Sequence, residues 1–444
     1  MRLYIVTIIL TLLIISPTEI MAKRHFSSLD VSFFLPVPLR PNQTVSILEN
    51  FKGKSLFSQK LWNQLTQVPN GMLTTTSMVG SPFNPADFSI SSFRYSPCEP
   101  HIFPDMDPKK CKFSVLRIVA QSLSSDGDNP PSFFSKKWGL LDPERFYHDS
   151  ALHLIYIIPK EKRISVEKAL WSIKMKAKEL LGLSTKGKYL GVHPGFEALE
   201  DPKASSDKKK KSLKFFSFFK ETLYSMASTK NLLAVSEMRG TRNGNIGQWI
   251  FAGNLRDLKT GNLISKDISG LQKGESRKTH VVSFSKGVNL GEKFIVDKSK
   301  VGPVDDTIVP KTGGVTNSLG LKRIFKVLNP EQTVVLKGDC VSCHMASPLL
   351  SKREVTKGKN LGLSAGEKKQ LEAFSYNPKT NDASIKGEKT SLEPSIIKMR
   401  GNKKNGTFLV TNFGRCAGRT TNQKLCISQR TLNETLQVLR LLNK

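Results

Sequence analysis

Phe113-Ser-Val-Leu-Arg-Ile-Val-Ala120 and Leu152-His-Leu-Ile-Tyr-Ile-Ile158 are the two runs on which the fold turns. Both are short, rich in β-branched and aromatic residues, and bounded by turn formers, so each is expected to be a strand. Between them, Asp142-Pro143 signals a helix start, with Asp as N-cap and Pro at the first helical position. After the second run, Ser165 opens a stronger helix. Val166, Ala169, Leu170, Ile173, Ala177, Leu180 and Leu181 recur at helical spacing, and Gly182 stops the pattern. Further strands are expected at 246–253, 280–284, 333–336 and 407–411, and no internal repeat is visible. Strands and helices in this mixture indicate an α+β protein.

Working outward, residues 23–90 are rich in Ser, Thr, Pro and Asn and read as loops with short strands. The charged run at 201–211 (DPKASSDKKKK) suggests a break that divides a β-rich mixed region, 23–325, into two subdomains. After it comes Lys214-Phe-Phe-Ser-Phe-Phe-Lys220. Such a segment lies on a membrane surface, or it is a helix whose phenylalanines enter the core while its lysines stay wet; the second reading is favoured. Residues 326–444 read as a smaller, partly helical unit. A helical pattern at Leu319, Leu321, Ile324, Phe325 and Leu328 ends before Pro330, and Ser364-x-x-Glu367 is a capping box for a short helix. A final helix carries Leu432, Leu436, Leu439 and Leu442, with Thr431-x-x-Glu434 as its expected capping box.

The first 22 residues have the make-up of a secretory signal peptide. Arg2 is followed by an uncharged apolar segment to Ser16, Pro17 interrupts it, and Ala22 offers a small residue before Lys23. About 14 apolar residues are fewer than the ~20 needed to span a bilayer, which favours a cleaved signal over the competing reading of an uncleaved anchor. The expected location is periplasmic or extracellular.

The chain of 444 residues has a formal net charge of +31 and is 38% hydrophobic, enough to build real cores. A positive field of this size favours anionic partners, and weak electrostatic binding to anionic envelope surfaces is expected. The lysines are spread along the chain and no RNA- or DNA-binding motif is present, so specific nucleic-acid binding is not expected.

Six cysteines divide into three pairs. Cys98 and Cys111, and Cys416 and Cys426, flank short polar loops and are expected to form two local disulfides, each contributing roughly 3 kcal/mol in the chain-entropy model. The third pair lies in Gly338-Asp-Cys340-Val-Ser-Cys343-His344. Two thiols at i and i+3 add across the two vinyl groups of a haem, and the imidazole that follows binds the iron from the attachment face.

This segment resembles the haem-attachment site of the cytochrome c family. The resemblance covers the motif and the roughly 100 residues around it, and implies a cytochrome c-like unit. It implies one covalent haem c on Cys340 and Cys343, with His344 as proximal iron ligand. Three other readings compete. The first is a Cys340–Cys343 disulfide, which lacks a βαβ setting for a thioredoxin-like fold; the second is zinc, which lacks a second ligand pair nearby; the third is a histidine that follows the cysteines by accident. The family usually supplies a downstream methionine as sixth ligand. Met345 is adjacent to His344 and cannot reach the opposite face of the iron, which leaves Met399 as the candidate distal ligand. Upstream alternatives are Met238, His280, His193 and His153, the last expected to be a hydrogen-bonded structural residue. A looser resemblance joins the motif to Asn412-Phe-Gly and Ser428-Gln-Arg-Thr-Leu-Asn-Glu434, and is to exported proteins of predatory Gram-negative bacteria. It carries no activity over to this chain.

No catalytic constellation is visible: there is no Gly-x-Ser-x-Gly, His-Glu-x-x-His or phosphate loop. Arg239-Gly-Thr-Arg-Asn-Gly-Asn245 is read as a plain turn. The expected function is electron transfer or redox sensing by a mono-haem c-type protein, with the redox partner unspecified. The alternative is a secreted envelope-binding or structural protein in which all six cysteines form disulfides.

Overall fold

The computed structural model describes residues 24–36, 43–66, 88–98, 113–123, 147–186, 190–201, 203–240, 246–266, 279–285 and 429–443. It also describes short pieces at 330, 375–377, 382–385, 388–391, 414–415 and 425–427. Residues 1–22, the Asp142-Pro143 helix start, the strands expected at 333–336 and 407–411 and the helices expected at 319–328 and from Ser364 lie outside them.

The expected runs at 113–120 and 152–158 are central strands of one antiparallel sheet. The strands are β1 (Ser32–Phe34), β2 (Phe88–Ser96), β3 (Ser114–Leu123), β4 (Tyr147–Ile158), β5 (Leu232–Gly240), β6 (Ile246–Arg256), β7 (Leu263–Lys266) and β8 (Thr279–Ser285). They lie side by side in chain order from β1 to β7, and β8 shares with β7 the far side of β6. The expected strands at 246–253 and 280–284 are β6 and β8.

Four strands of this sheet, β1, β2, β5 and β7, are not singled out by the sequence. In β2, Ser89, Ser91 and Ser92 make the run read as a loop. A bulge between Ile90 and Ser92 nonetheless keeps Phe88, Ile90, Phe93 and Tyr95 in the core. β5 carries Leu232 and Val235 into the same core and ends in the Arg-Gly segment read as a turn.

One face of the sheet is covered by two long helices, α2 (Arg163–Leu181) and α3 (Ser206–Met226), after a shorter α1 (Gln59–Thr66). α2 begins two residues before Ser165, continuing from a 3-10 turn at Lys160–Lys162. It ends at Gly182, whose φ of 63° is a left-handed cap that a side chain would strain. Val166, Leu170, Ile173 and Ala177 of α2 pack with Phe215, Phe216, Phe219 and Leu223 of α3 over Leu116, Ile118, Leu154 and Tyr156.

The phenylalanine run is therefore a core helix with its lysines outside, as favoured from sequence. The charged stretch at 201–211 is a turn followed by the first turns of α3, where Ser205 Oγ accepts from the Lys208 N–H. Residues on both sides of it share one core, so it divides nothing there. Residues 24–66 also contribute more than loops: Val31, Phe33, Val45, Ile47, Leu56, Phe57, Leu61 and Trp62 are all buried in that core.

The last helix, α4 (Gln429–Leu442), lies over β1, β2 and β3 on the opposite face. Ser32 and Thr435 share a hydrogen bond of 2.8 Å. The Phe26 N–H donates to Asn443 Oδ1, and Asn443 Nδ2 donates back to the Phe26 carbonyl. Val438 and Leu439 join the main core. A helix expected in a separate C-terminal unit is thus part of the N-terminal sheet's own packing, across the expected boundary near 325. A cytochrome c-like unit is not among the described elements. Around α4 lies a small antiparallel sheet of Ser375–Asn377, Asp382–Ile385 and Glu388–Ser391, and Gly414–Arg415 pairs with Leu425–Cys426. Among the described residues no helix is long and apolar enough to cross a membrane.

Candidate functional site

Cys340, Cys343, His344 and Met399 lie outside the described residues, as do Cys111 and Cys416. Cys98, just past β2, is disulfide-bonded. The side chains of the other five cysteines, including Cys426 on its short strand, lie outside those described, so the pairings Cys98–Cys111 and Cys416–Cys426 stay expectations. Among the described residues no group of three or more His, Cys, Asp or Glu is placed to hold a metal.

The most concentrated chemistry in the described structure is where α4 meets the sheet. One row of residues crosses the face under α4: Ser32, Arg94, Arg117, Ile155, Ala234, Leu255 and Ile264 stand opposite one another on β1 through β7. Arg94 and Arg117 are neighbours in that row, and both point at Glu434. Glu434 Oε2 accepts from Arg94 Nη1 at 2.7 Å and from Arg117 Nη1 at 2.8 Å. Its other oxygen, Oε1, accepts from Arg430 Nε at 2.7 Å, one helical turn back.

Burial alone would raise the Glu434 carboxyl, but Arg117, Arg430 and Arg94 outweigh it and hold the group well below the usual carboxylate range. Burial lowers the Arg94 guanidinium, opposed by Glu434 and reinforced by Arg117. Thr431 and Glu434, expected as a capping box, lie inside the helix instead, since α4 starts at Gln429. Glu434 faces the sheet rather than the helix end.

A cavity of about 20 Å³ beside the cluster is lined by Ser32, Arg94, Arg117, Arg430, Glu434 and Thr435, among others. It has room for one water and none for an organic substrate. A carboxylate held ionised this firmly has no proton to give near neutral pH, and guanidinium groups stay charged there. The arrangement is therefore not an acid–base site. It is a clamp of charge-assisted hydrogen bonds tying α4 to two adjacent strands.

Of the upstream histidines considered as iron ligands, His193 is fully enclosed. Its ring stacks on Phe33 and Phe215, both at 5.2 Å. Its Nδ1 accepts from the Gly195 N–H at 3.1 Å, and its Nε2 is buried without a hydrogen-bond partner. Burial brings the imidazole down to about 4, so it is neutral at physiological pH. Gly195 is required here, because a Cβ would lie 2.2 Å from the Phe215 ring. No iron can approach such a ring. His153 sits on β4 between Val119 and Ser236, facing away from the main core. Met238 and His280 are on β5 and β8, and their side chains lie outside those described.

Arg94 and Arg117 carry one signal in the sequence. Each is a lone charge inside an apolar strand, in Phe93-Arg94-Tyr95 and Leu116-Arg117-Ile118. A charge so placed must face away from the core and find a partner there.

Comparison with known proteins adds no relative: no family model, no curated protein and no solved structure matches the chain. The class is set by the geometry itself, an antiparallel α+β protein whose sheet carries helices on both faces.

Proposed function

We propose that the chain is an exported mono-haem c-type protein for electron transfer or redox sensing, acting in the periplasm or at the cell surface. The observation that carries this reading is Cys340-Val-Ser-Cys343-His344, two thiols and an imidazole at haem-attachment spacing. When bound, such a group supplies a reversible one-electron iron couple. Cys340 and Cys343 would hold it through thioether links, His344 would be the proximal ligand, and Met399 the candidate distal one. One structural fact lends support. The disulfide at Cys98 fits an oxidising compartment, where haem attachment is carried out.

The second reading is a secreted envelope-binding or structural protein with six disulfide-bonded cysteines, favoured by that same Cys98 bond. One experiment separates the two. Protein matured in a host with haem-attachment machinery should be red and heavier by one haem, and should keep its colour on a denaturing gel. Cys340→Ser with Cys343→Ser should abolish the colour, and Met399→Ala should lower the reduction potential if Met399 is the sixth ligand. A colourless protein from that host, with Cys340 and Cys343 joined to each other, would end the haem reading and favour the second.

A further inference from the structure

The outer face of α2 carries two large apolar side chains among its polar and charged ones. Ile164 is 57% exposed and Met175 44% exposed. Eleven residues is three helical turns, so the two lie on one line, with the half-buried Trp171 beside it. These are two of the four large hydrophobic side chains exposed among the described residues. Exposed lysines border the line on the same helix, at Lys168 and Lys178, with Lys160 and Lys162 at its start. Acidic residues are fewer: Glu161 stands between two lysines, Glu167 is paired with Arg163, and Glu179 is paired with Lys176. The neighbouring α3 adds the cationic run from Lys208 to Lys211, and Lys214, to the same helical layer.

We propose that this face of α2 lies on an anionic lipid bilayer, with Ile164 and Met175 dipping into the headgroup boundary and the lysines on the lipid phosphates. Trp171, between them, packs edge-on against Phe26 and holds the helix to the body. This deepens the expected binding to anionic envelope surfaces by giving it a place and a lipid partner. Apolar side chains flanked by lysines are the make-up of an interfacial helix. An acidic polymer would satisfy the lysines but offer nothing to Ile164 and Met175. A second copy fits less well, since two side chains supply far less than the ~1,000 Å² of a stable interface and two lysine-rich faces repel.

The test is flotation of the exported full chain with two kinds of vesicle. One is phosphatidylcholine alone, and the other is equal parts phosphatidylcholine and phosphatidylglycerol. Binding is expected to the second only. Ile164→Ser with Met175→Ser should weaken it about tenfold, whereas Leu258→Ser, a more exposed leucine elsewhere, should leave it unchanged. Lys168→Glu with Lys178→Glu should weaken it as well, and all variants should unfold at the wild-type temperature because the altered side chains are outside the core.

Absence of binding to the anionic vesicles overturns the proposal. So does an Ile164/Met175 variant that binds like wild type, because diffuse charge alone would then be responsible. A dimer in vesicle-free solution that this variant dissociates would replace the lipid by a second copy. No cysteine takes part, so a colourless protein that still binds would separate this proposal from the haem reading.

Discussion

Glu434 concentrates more of the structure's electrostatics than any other described side chain, and its removal should be felt widely. Glu434→Ala would leave three buried guanidinium groups without their shared carboxylate, an effect of about 3–5 kcal/mol. Glu434→Gln keeps an acceptor and should lose less; urea unfolding of both variants measures the difference. The pH dependence has a definite sign. The folded Glu434 carboxyl is depressed, so the stability it contributes is whole above about pH 5, past the ordinary carboxylate value, and falls away as the solution becomes more acidic. His193 acts over a higher window. Its folded pKa is lowered from 6.5 to about 4, so the unfolded chain takes up the proton first and stability falls as pH drops through that range. Between pH 7.5 and pH 5 the loss should be about 2 kcal/mol. His193→Phe should remove that part of the slope while keeping the stack on Phe33 and Phe215, and a slope identical to wild type would show that His193 does not titrate as described. Neither residue's role was legible in the sequence. Glu434 looked like a helix cap because Thr431 precedes it by three, and His193 looked like a spare ligand because nothing in a sequence shows which rings will close over it.

At the scale of elements, the helices were the most legible and the serine-rich strand the least. The apolar spacing after Ser165 and the stop at Gly182 fixed α2 almost completely, because one face of a helix has to be apolar to meet a sheet. β2 escaped notice because a bulge shifts its alternation halfway along, so its polar and apolar residues fit no single period. α4 was expected as a helix, but its neighbour was not foreseen. Leu439 is 2% exposed and belongs to the main core. Leu439→Ala should therefore destabilise the sheet body itself by about 2–5 kcal/mol, read as a lower urea midpoint with one cooperative transition. A second transition, with the sheet body unaffected, would mean that α4 folds on its own.

For the whole molecule, the sequence by itself determined two central strands of the sheet, β3 and β4, and the apolar face of α2, and it favoured the core role of the phenylalanine helix. These are local matters: periodicity and turn chemistry are written within a few consecutive residues. Only the tertiary structure decided that β1 through β7 lie in chain order in one sheet and that the charged stretch before α3 is no boundary. It alone brought Glu434 from the end of the chain to Arg94 and Arg117, more than 300 residues earlier. Each of these depends on which distant surface excludes water from a given face, and apolar burial is non-directional, so spacing along the chain does not encode the partner. A buried carboxylate finds its arginines because the folded sheet holds them together in one row, and that row exists only after β2 and β3 have paired.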